Sequence, residues 1–220
     1  MWIFKRSLLC TMMLWGVNES LPAGDLEGVL HFPVAKKEVF RLLPRYGRPT
    51  PADETMMPPA REVKAVVYIA DTFPDSTFAP PREHPIMDQR NEQFIPYILP
   101  VVVGTTVDFP NNDRVYHNVF SFSKAKTFDL GKYPTRTKKS VTFEQVGIVS
   151  LYCEIHAHMN AFILVLPNPY FATVNADGKF RIRHIPTGEY TLKVFMGRGE
   201  EIERAVAVPE NGVTHIDISF

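Results

Sequence analysis

Three side chains that favour soft metal ions lie close together in the segment CEIHAHM, residues 153–159. Cys153, His156 and Met159 follow one another at three-residue intervals. A thiolate, an imidazole and a thioether are polarisable donors, and such a set suits copper far better than magnesium or calcium. One further imidazole would complete a site of two histidines, one cysteine and a weakly bound methionine. We therefore predict a copper site at this loop.

The chain offers the second imidazole upstream, as His117 in the asparagine-rich segment NNDRVYHNVF. Each of these residues has a plainer interpretation when it is taken alone. A free cysteine is often a small buried hydrophobe, a methionine often fills a gap in a core, and a histidine is often a surface residue. The combination is much more specific than any single member, and it favours a metal site.

The residues around this loop are typical of β-strands. An apolar, β-branched and aromatic run at 148–153 leads into the loop, and a second apolar run at 161–166 follows it. Alternating segments between 93 and 122 are typical of the body of a β-sandwich, and no long helical period interrupts them. The predicted architecture is strand, ligand-bearing loop, strand within an all-β domain.

The C-terminal part of the chain has a regular strand pattern of its own. Period-two segments occur at 171–174, 180–183, 190–194 and 213–218, with turn residues between them at Asp177-Gly178 and at 186–188. This spacing predicts a second, small all-β unit from about residue 168 to the end of the chain.

The two segments that carry these candidate ligands resemble those of the cupredoxins, the small blue-copper proteins. The Cys-x₂-His-x₂-Met loop is similar to the short ligand loop of amicyanin. The segment FPNND at 109–113, followed by His117-Asn118-Val119, resembles the first-ligand region of plastocyanins and amicyanins. The resemblance covers about residues 61–167. The wider arrangement resembles plastocyanin-like proteins associated with methylamine utilisation, and segment 174–194 resembles the carboxypeptidase-regulatory or transthyretin-like module.

The resemblance implies a fold and a set of ligands. It implies a cupredoxin Greek-key β-sandwich followed by a small transthyretin-like β-sandwich. His117, Cys153 and His156 would be equatorial copper ligands and Met159 the axial one. Asn118 would tie the two ligand loops together, since outer hydrogen bonds orient ligands and tune the metal. The alternative for Asn118 is an ordinary polar turn residue.

Two residues depart from the pattern of related loops. His158 stands where those loops usually carry an apolar or aromatic residue, and it would compete for the metal if it pointed inward. Glu154 directly follows the cysteine, and a carboxylate ligand would move the site away from blue-copper character.

The N-terminus has the pattern of a signal peptide. Lys5 and Arg6 precede an apolar run at residues 8–17 that is too short to span a bilayer. We predict a signal peptide over 1–23, with cleavage near Ala23 or Gly24, and export to the periplasm or the extracellular space. The alternatives are an uncleaved anchor and a buried first helix.

Export would change the cysteine content of the protein. The chain has two cysteines, and removal of residues 1–23 takes away Cys10 and leaves Cys153 alone. An odd thiol in an oxidising compartment requires an explanation, and metal ligation provides one.

Composition narrows the functional classes. The formal net charge is zero, so no basic surface argues for binding to nucleic acid. We also expect no membrane span in the mature chain. We divide the chain into the signal peptide, a Pro-rich N-terminal extension (24–60), the cupredoxin domain (61–167) and the C-terminal β-domain (168–220).

The predicted function is the transfer of single electrons between redox partner proteins through copper. No Ser/His/Asp set or pair of catalytic carboxylates stands out, so we do not predict an enzyme. One alternative is a copper-binding carrier or sensor. The other is a carbohydrate- or protein-binding module in which the C-terminal domain is the functional part.

Overall fold

The computed structural model describes residues 22–32, 65–73, 78–197 and 201–219. These residues form sixteen β-strands and no helix, so the predicted all-β class is confirmed for them and no membrane-spanning helix occurs among them. In chain order the strands are β1 (Ala23–His31), β2 (Val66–Ile69), β3 (Asp88–Arg90), β4 (Gln93–Ile95), β5 (Ile98–Val102), β6 (Thr105–Pro110), β7 (Phe120–Ser123), β8 (Lys126–Asp129), β9 (Lys138–Phe143), β10 (Gly147–Tyr152), β11 (Asn160–Leu166), β12 (Phe171–Thr173), β13 (Lys179–Pro186), β14 (Gly188–Phe195), β15 (Ile202–Val208) and β16 (Val213–Ser219).

The strands around the predicted ligands form a β-sandwich. A five-stranded sheet, in the order β5-β11-β10-β7-β8, is one layer. The antiparallel pair β6–β9 belongs to the other layer, and isolated bridges from residues 86–89 extend it. Phe109 and Phe143 from this second layer pack in one buried cluster with Leu151 and Ile163 from the first. Burial of these alternate side chains holds the two sheets face to face.

Strand β11 is buried on both of its faces. Its odd-numbered residues, such as Ile163, lie in the sandwich core. Its even-numbered residues, such as Phe162 and Leu164, pack against Val66 and Phe195 from the rest of the chain. Because successive side chains of a strand point to opposite faces, burial on both sides requires an uninterrupted apolar run. The sequence AFILVL has that pattern.

A second unit is built from the C-terminal strands together with β1 and β2. One of its sheets has the order β13-β1-β16 and the other the order β12-β2-β14-β15. Leu26 of β1, Ile69 of β2 and Leu192 of β14 share its buried core. Two segments from before the first sandwich therefore complete the sheets of the second unit.

This pairing differs from the predicted division of the chain. Residues 24–31 were predicted to lie in the N-terminal extension, and residue 23 at the end of the signal peptide. Instead β1 is a central strand, antiparallel to β13 and parallel to β16. Gly28 permits this close approach, because a Cβ there would lie 1.8 Å from the carbonyl oxygen of Ile216.

Strand β2 shows the same kind of difference. It was predicted within the 61–167 domain, but it pairs with β12 and β14 of the second unit. All four of its residues are buried, so it needs a partner sheet on each face. The predicted signal peptide, apart from Pro22 and Ala23, and the Pro-rich stretch at 44–60 lie outside the described residues.

Candidate metal centre

Cys153 is positioned by the end of β10. Val149, Leu151 and Cys153 alternate along the chain, and all three lie in the buried cluster of the sandwich. The cysteine follows the last residue of the strand and is 4% exposed. Its thiol therefore points inward from the edge of the core, as the period of the strand requires.

His117 lies on the connection between β6 and β7 and is completely buried. Its main chain forms an isolated bridge with Tyr133, in which the His117 N–H donates at 3.2 Å and the Tyr133 N–H donates back at 2.8 Å. The Asn111 amide group also donates to the Tyr133 carbonyl, at 3.2 Å. These hydrogen bonds fix the backbone from which the imidazole projects.

The side chains of His117, Cys153 and His156 converge. His117 Nδ1 lies 3.9 Å from Cys153 Sγ and 3.1 Å from His156 Nδ1. One donor atom from each of the three residues lies within 4.8 Å of the other two, and within the described ranges no other group of at least three His, Cys, Asp or Glu residues is gathered in this way. Two imidazole nitrogens and a sulfur facing one point are a donor set that fits copper.

Met159 lies in the same buried cluster as Cys153. Its main-chain N–H donates to the His156 carbonyl at 2.9 Å, which closes a turn within the ligand loop. The turn brings His156 back towards the end of β10 and keeps the thioether inside the sandwich.

Asn118 connects the two segments that carry the donors. Its side-chain oxygen accepts the Glu154 N–H at 3.1 Å, and its amide donates to Asp129 Oδ1 at 2.6 Å. Asn118 itself is buried, whereas Glu154 and Asp129 are exposed, so both bonds are partly buried. The position next to His117 is therefore tied to the position next to Cys153.

Glu154 and His158 point away from the three donors. The Glu154 carboxylate is exposed and lies 3.7 Å from Lys132 Nζ. His158 is exposed as well, and its Nε2 lies 3.5 Å from the Glu92 carboxylate. Neither residue belongs to the group formed by the three converging side chains.

The structure adds one residue that the sequence analysis did not single out. His117 Nε2 lies 3.1 Å from Asp113 Oδ2, on the opposite side of the ring from the thiol. Burial raises the pKa of Asp113, but hydrogen bonds from Glu92, His117 and Arg114 outweigh this and hold the pKa below its ordinary value. The sequence feature that could have indicated this contact is an aspartate four residues before the histidine.

No family model matches the chain, and no curated protein matches it. The structure is similar to that of a purple cupredoxin from Nitrosopumilus maritimus, with 25% identity, 37% of this chain and 98% of the other covered, and a TM-score of 0.34. A reduced amicyanin variant has 21% identity, 40% and 91% coverage and a TM-score of 0.36. The Cu-containing nitrite reductase of Thermus scotoductus SA-01 has 23% identity, 44% and 25% coverage and a TM-score of 0.37.

Each of these likenesses covers less than half of this chain. The case for a metal centre therefore rests on the geometry of the chain's own residues.

Proposed function

We propose that this protein is an exported copper protein that transfers single electrons between redox partner proteins. The observation that supports the proposal is the convergence of His117 Nδ1, His156 Nδ1 and Cys153 Sγ within 4.8 Å of one another. In this proposal the three residues are the equatorial ligands, and Met159 is the weak axial ligand. Asn118 is the outer residue that keeps the two ligand loops in register.

The donor set favours copper over harder ions. A thiolate combined with imidazoles suits copper or zinc, whereas magnesium and calcium prefer oxygen donors. A bound copper ion would supply one-electron chemistry by alternating between Cu(I) and Cu(II). The task of the protein is then to hold the donors in one arrangement for both oxidation states. The buried backbone bonds of His117 and the Asn118 bridge suit that task.

The exposure of the three donors differs, and the difference suggests an electron route. His117 is fully buried and Cys153 nearly so, whereas His156 is only partly buried. Next to these ligands in sequence, Ile155 is 40% exposed and Tyr116 is 58% exposed. An apolar surface around a partly exposed ligand suits brief contact with a redox partner. We propose that electrons pass through His156.

We also propose a carrier rather than an enzyme, and a location in the periplasm or outside the cell. A single thiol kept as a metal ligand is consistent with an exported mature chain. The rival proposal is a protein that carries copper as cargo. The two differ in how firmly they hold the metal, because a redox carrier loses its function when copper leaves.

The test uses the mature chain loaded with copper. We expect one copper per chain, an intense thiolate-to-copper absorption band, the EPR signal of a blue site and a reversible wave in voltammetry. Copper(I) should remain bound in the presence of a modest chelator. Rapid loss of copper(I) without a reversible wave would replace the electron-transfer proposal with the cargo proposal. Failure to bind copper at all would overturn both.

A further inference from the structure

We propose that Asp113 is a positioning residue for His117, and that the turn between β3 and β4 holds Asp113 in place. The inference rests on the proposed function in one respect, the assignment of His117 as a ligand. Asp113 makes no contact with the thiol side of the ring. It acts instead on Nε2, the ring nitrogen that faces away from Cys153 and His156.

The turn that reaches Asp113 has a defined geometry. Asn91 and Glu92 connect β3 to β4, and each has a φ of 52°. Two left-handed residues in a two-residue connection are typical of a hairpin turn whose twist matches that of the strands. In this conformation the Glu92 N–H donates to Asp113 Oδ2 at 2.7 Å.

The hairpin is anchored in the sandwich, so its turn is held against Asp113. Gln89 is completely buried and its amide donates to the Pro110 carbonyl at 3.1 Å and to the Tyr133 hydroxyl. Phe94, on the second strand of the hairpin, belongs to the sandwich core. Tyr133 also carries the backbone bridge to His117, so hairpin and ligand share one support.

The Asp113 carboxylate therefore has three hydrogen-bond partners. Oδ2 accepts from Glu92 N–H and faces His117 Nε2, while Oδ1 accepts from Arg114 N–H at 3.0 Å. Each oxygen of Asp113 already accepts a main-chain N–H, so the carboxylate acts as an acceptor here and the facing ring nitrogen carries the proton. A neutral imidazole has one ring proton. With that proton on Nε2, the lone pair of Nδ1 is directed towards Cys153 and His156.

Loss of the carboxylate would remove this preference. The imidazole could then place its proton on Nδ1, the atom that must bind a metal. Outer-shell partners of this kind fix the tautomer and the ring orientation, and their removal typically costs about 10–100-fold in metal affinity. The turn residue Glu92 also places its carboxylate 3.5 Å from His158, so one hairpin touches both ligand-bearing segments.

The experiment measures the tautomer of His117 in the metal-free mature protein, by ¹⁵N NMR of the ring nitrogens. In the wild type we expect the proton on Nε2. Asp113→Ala should shift a large fraction of the ring to the Nδ1-protonated form. Asp113→Asn retains one acceptor oxygen and should restore most of the wild-type tautomer.

A matched control is available in the same hairpin. Asp88 and Asp113 side chains are both 15% exposed. Asp88 accepts from Asn112 and from the Gln89 N–H, and these contacts do not involve the histidine. Asp88→Ala should therefore keep the wild-type tautomer. Glu92→Gly, which retains the turn N–H and tolerates the left-handed backbone, should keep it too.

Copper affinity provides the second measurement. Asp113→Ala should bind copper about 10–100-fold more weakly than the wild type, and Asp88→Ala within a few-fold of it. A wild-type His117 protonated on Nδ1 would overturn the inference, even if Asp113→Ala failed to fold. So would an equal tautomer shift in Asp88→Ala. If the wild type bound no copper, the proposed function would fail, while the tautomer measurement would still decide the role of Asp113.

Discussion

Cys153 Sγ lies 3.9 Å from His117 Nδ1, although the two residues are 36 positions apart in the chain. The cysteine reaches this point from the end of β10, and the histidine reaches it from the connection between β6 and β7. The candidate centre therefore depends on two separate segments. Substitutions in each segment test a different part of the proposal.

The cysteine should determine the colour of the protein. Cys153→Ser replaces a soft sulfur donor by a hard oxygen of similar size, so the fold should persist while the thiolate-to-copper band disappears. The visible spectrum of the copper-loaded variant is the measurement. Glu154→Gln, at the exposed neighbouring residue, should retain the band. A Cys153→Ser spectrum equal to that of the wild type would show that sulfur is not a ligand.

The two histidines of the ligand loop should respond differently to substitution. His156→Ala removes a converging nitrogen and should abolish the blue site. His158→Ala removes an exposed side chain that lies near Glu92 and whose ring centroid is 6.2 Å from that of His156, and it should leave the site present. EPR and visible spectra of both copper-loaded variants separate the cases. The opposite result would mean that the loop binds copper in another register.

The Asn118 bridge should contribute to stability without any metal. Asn118→Ala leaves the Glu154 N–H without its acceptor and removes a donor from Asp129. A typical hydrogen bond contributes about 0.5–1.5 kcal/mol net, so the loss of both should cost about 1–3 kcal/mol, and urea unfolding of the metal-free protein measures this cost. Asn112→Ala, at an exposed site, should cost less than about 0.5 kcal/mol. Equal costs for the two variants would contradict a special role for the bridge.

Asp108 should make stability depend on acid pH. Burial opposes its ionisation, but hydrogen bonds from Lys138, Ser140 and His84 outweigh this and lower its pKa from 3.8 to about 2. A lowered folded-state pKa gives stability that is present above pH 3.8 and is lost as the pH falls to about 2.

We therefore expect Asp108→Asn to be less stable than the wild type at neutral pH, with the difference shrinking over that acid range. Urea unfolding at a series of pH values measures this difference. Asp177→Asn, at an exposed carboxylate, is the control. A difference that stayed constant with pH would contradict the interpretation.

The thioether should tune the reduction potential. Met159→Leu removes a weak axial donor and leaves an apolar neighbour, which disfavours the more highly charged oxidised copper. We expect a raised potential with copper retained, measured by voltammetry and metal analysis. Met87→Leu is a matched control, since Met87 and Met159 are both buried in the same cluster. Equal shifts in the two variants would exclude an axial role.

Much of the strand pattern was predictable from the sequence. The apolar runs at residues 148–153 and 161–166 and the alternating segment at 190–194 all lie in strands or continue one. Strands β8 and β15 were not predicted, because charged residues interrupt their alternation. Neither strand lies entirely in a core, so neither needs a clear apolar period.

The sequence by itself determined the local part of the candidate centre. The spacing of Cys153, His156 and Met159 is a property of one short loop, and it does not depend on how the rest of the chain is arranged. The motif around His117 also predicted the distant imidazole. The chemistry of these residues can be inferred from residue type alone.

Only the tertiary structure decided which groups surround those donors. Asp113 meets His117, and Glu92 meets Asp113, because the β3–β4 hairpin packs beside the ligand segment. In the same way β1 lies between β13 and β16, two strands that are distant from it in sequence. Pairing over such distances depends on which apolar faces are buried together, and no local pattern of residues specifies that choice.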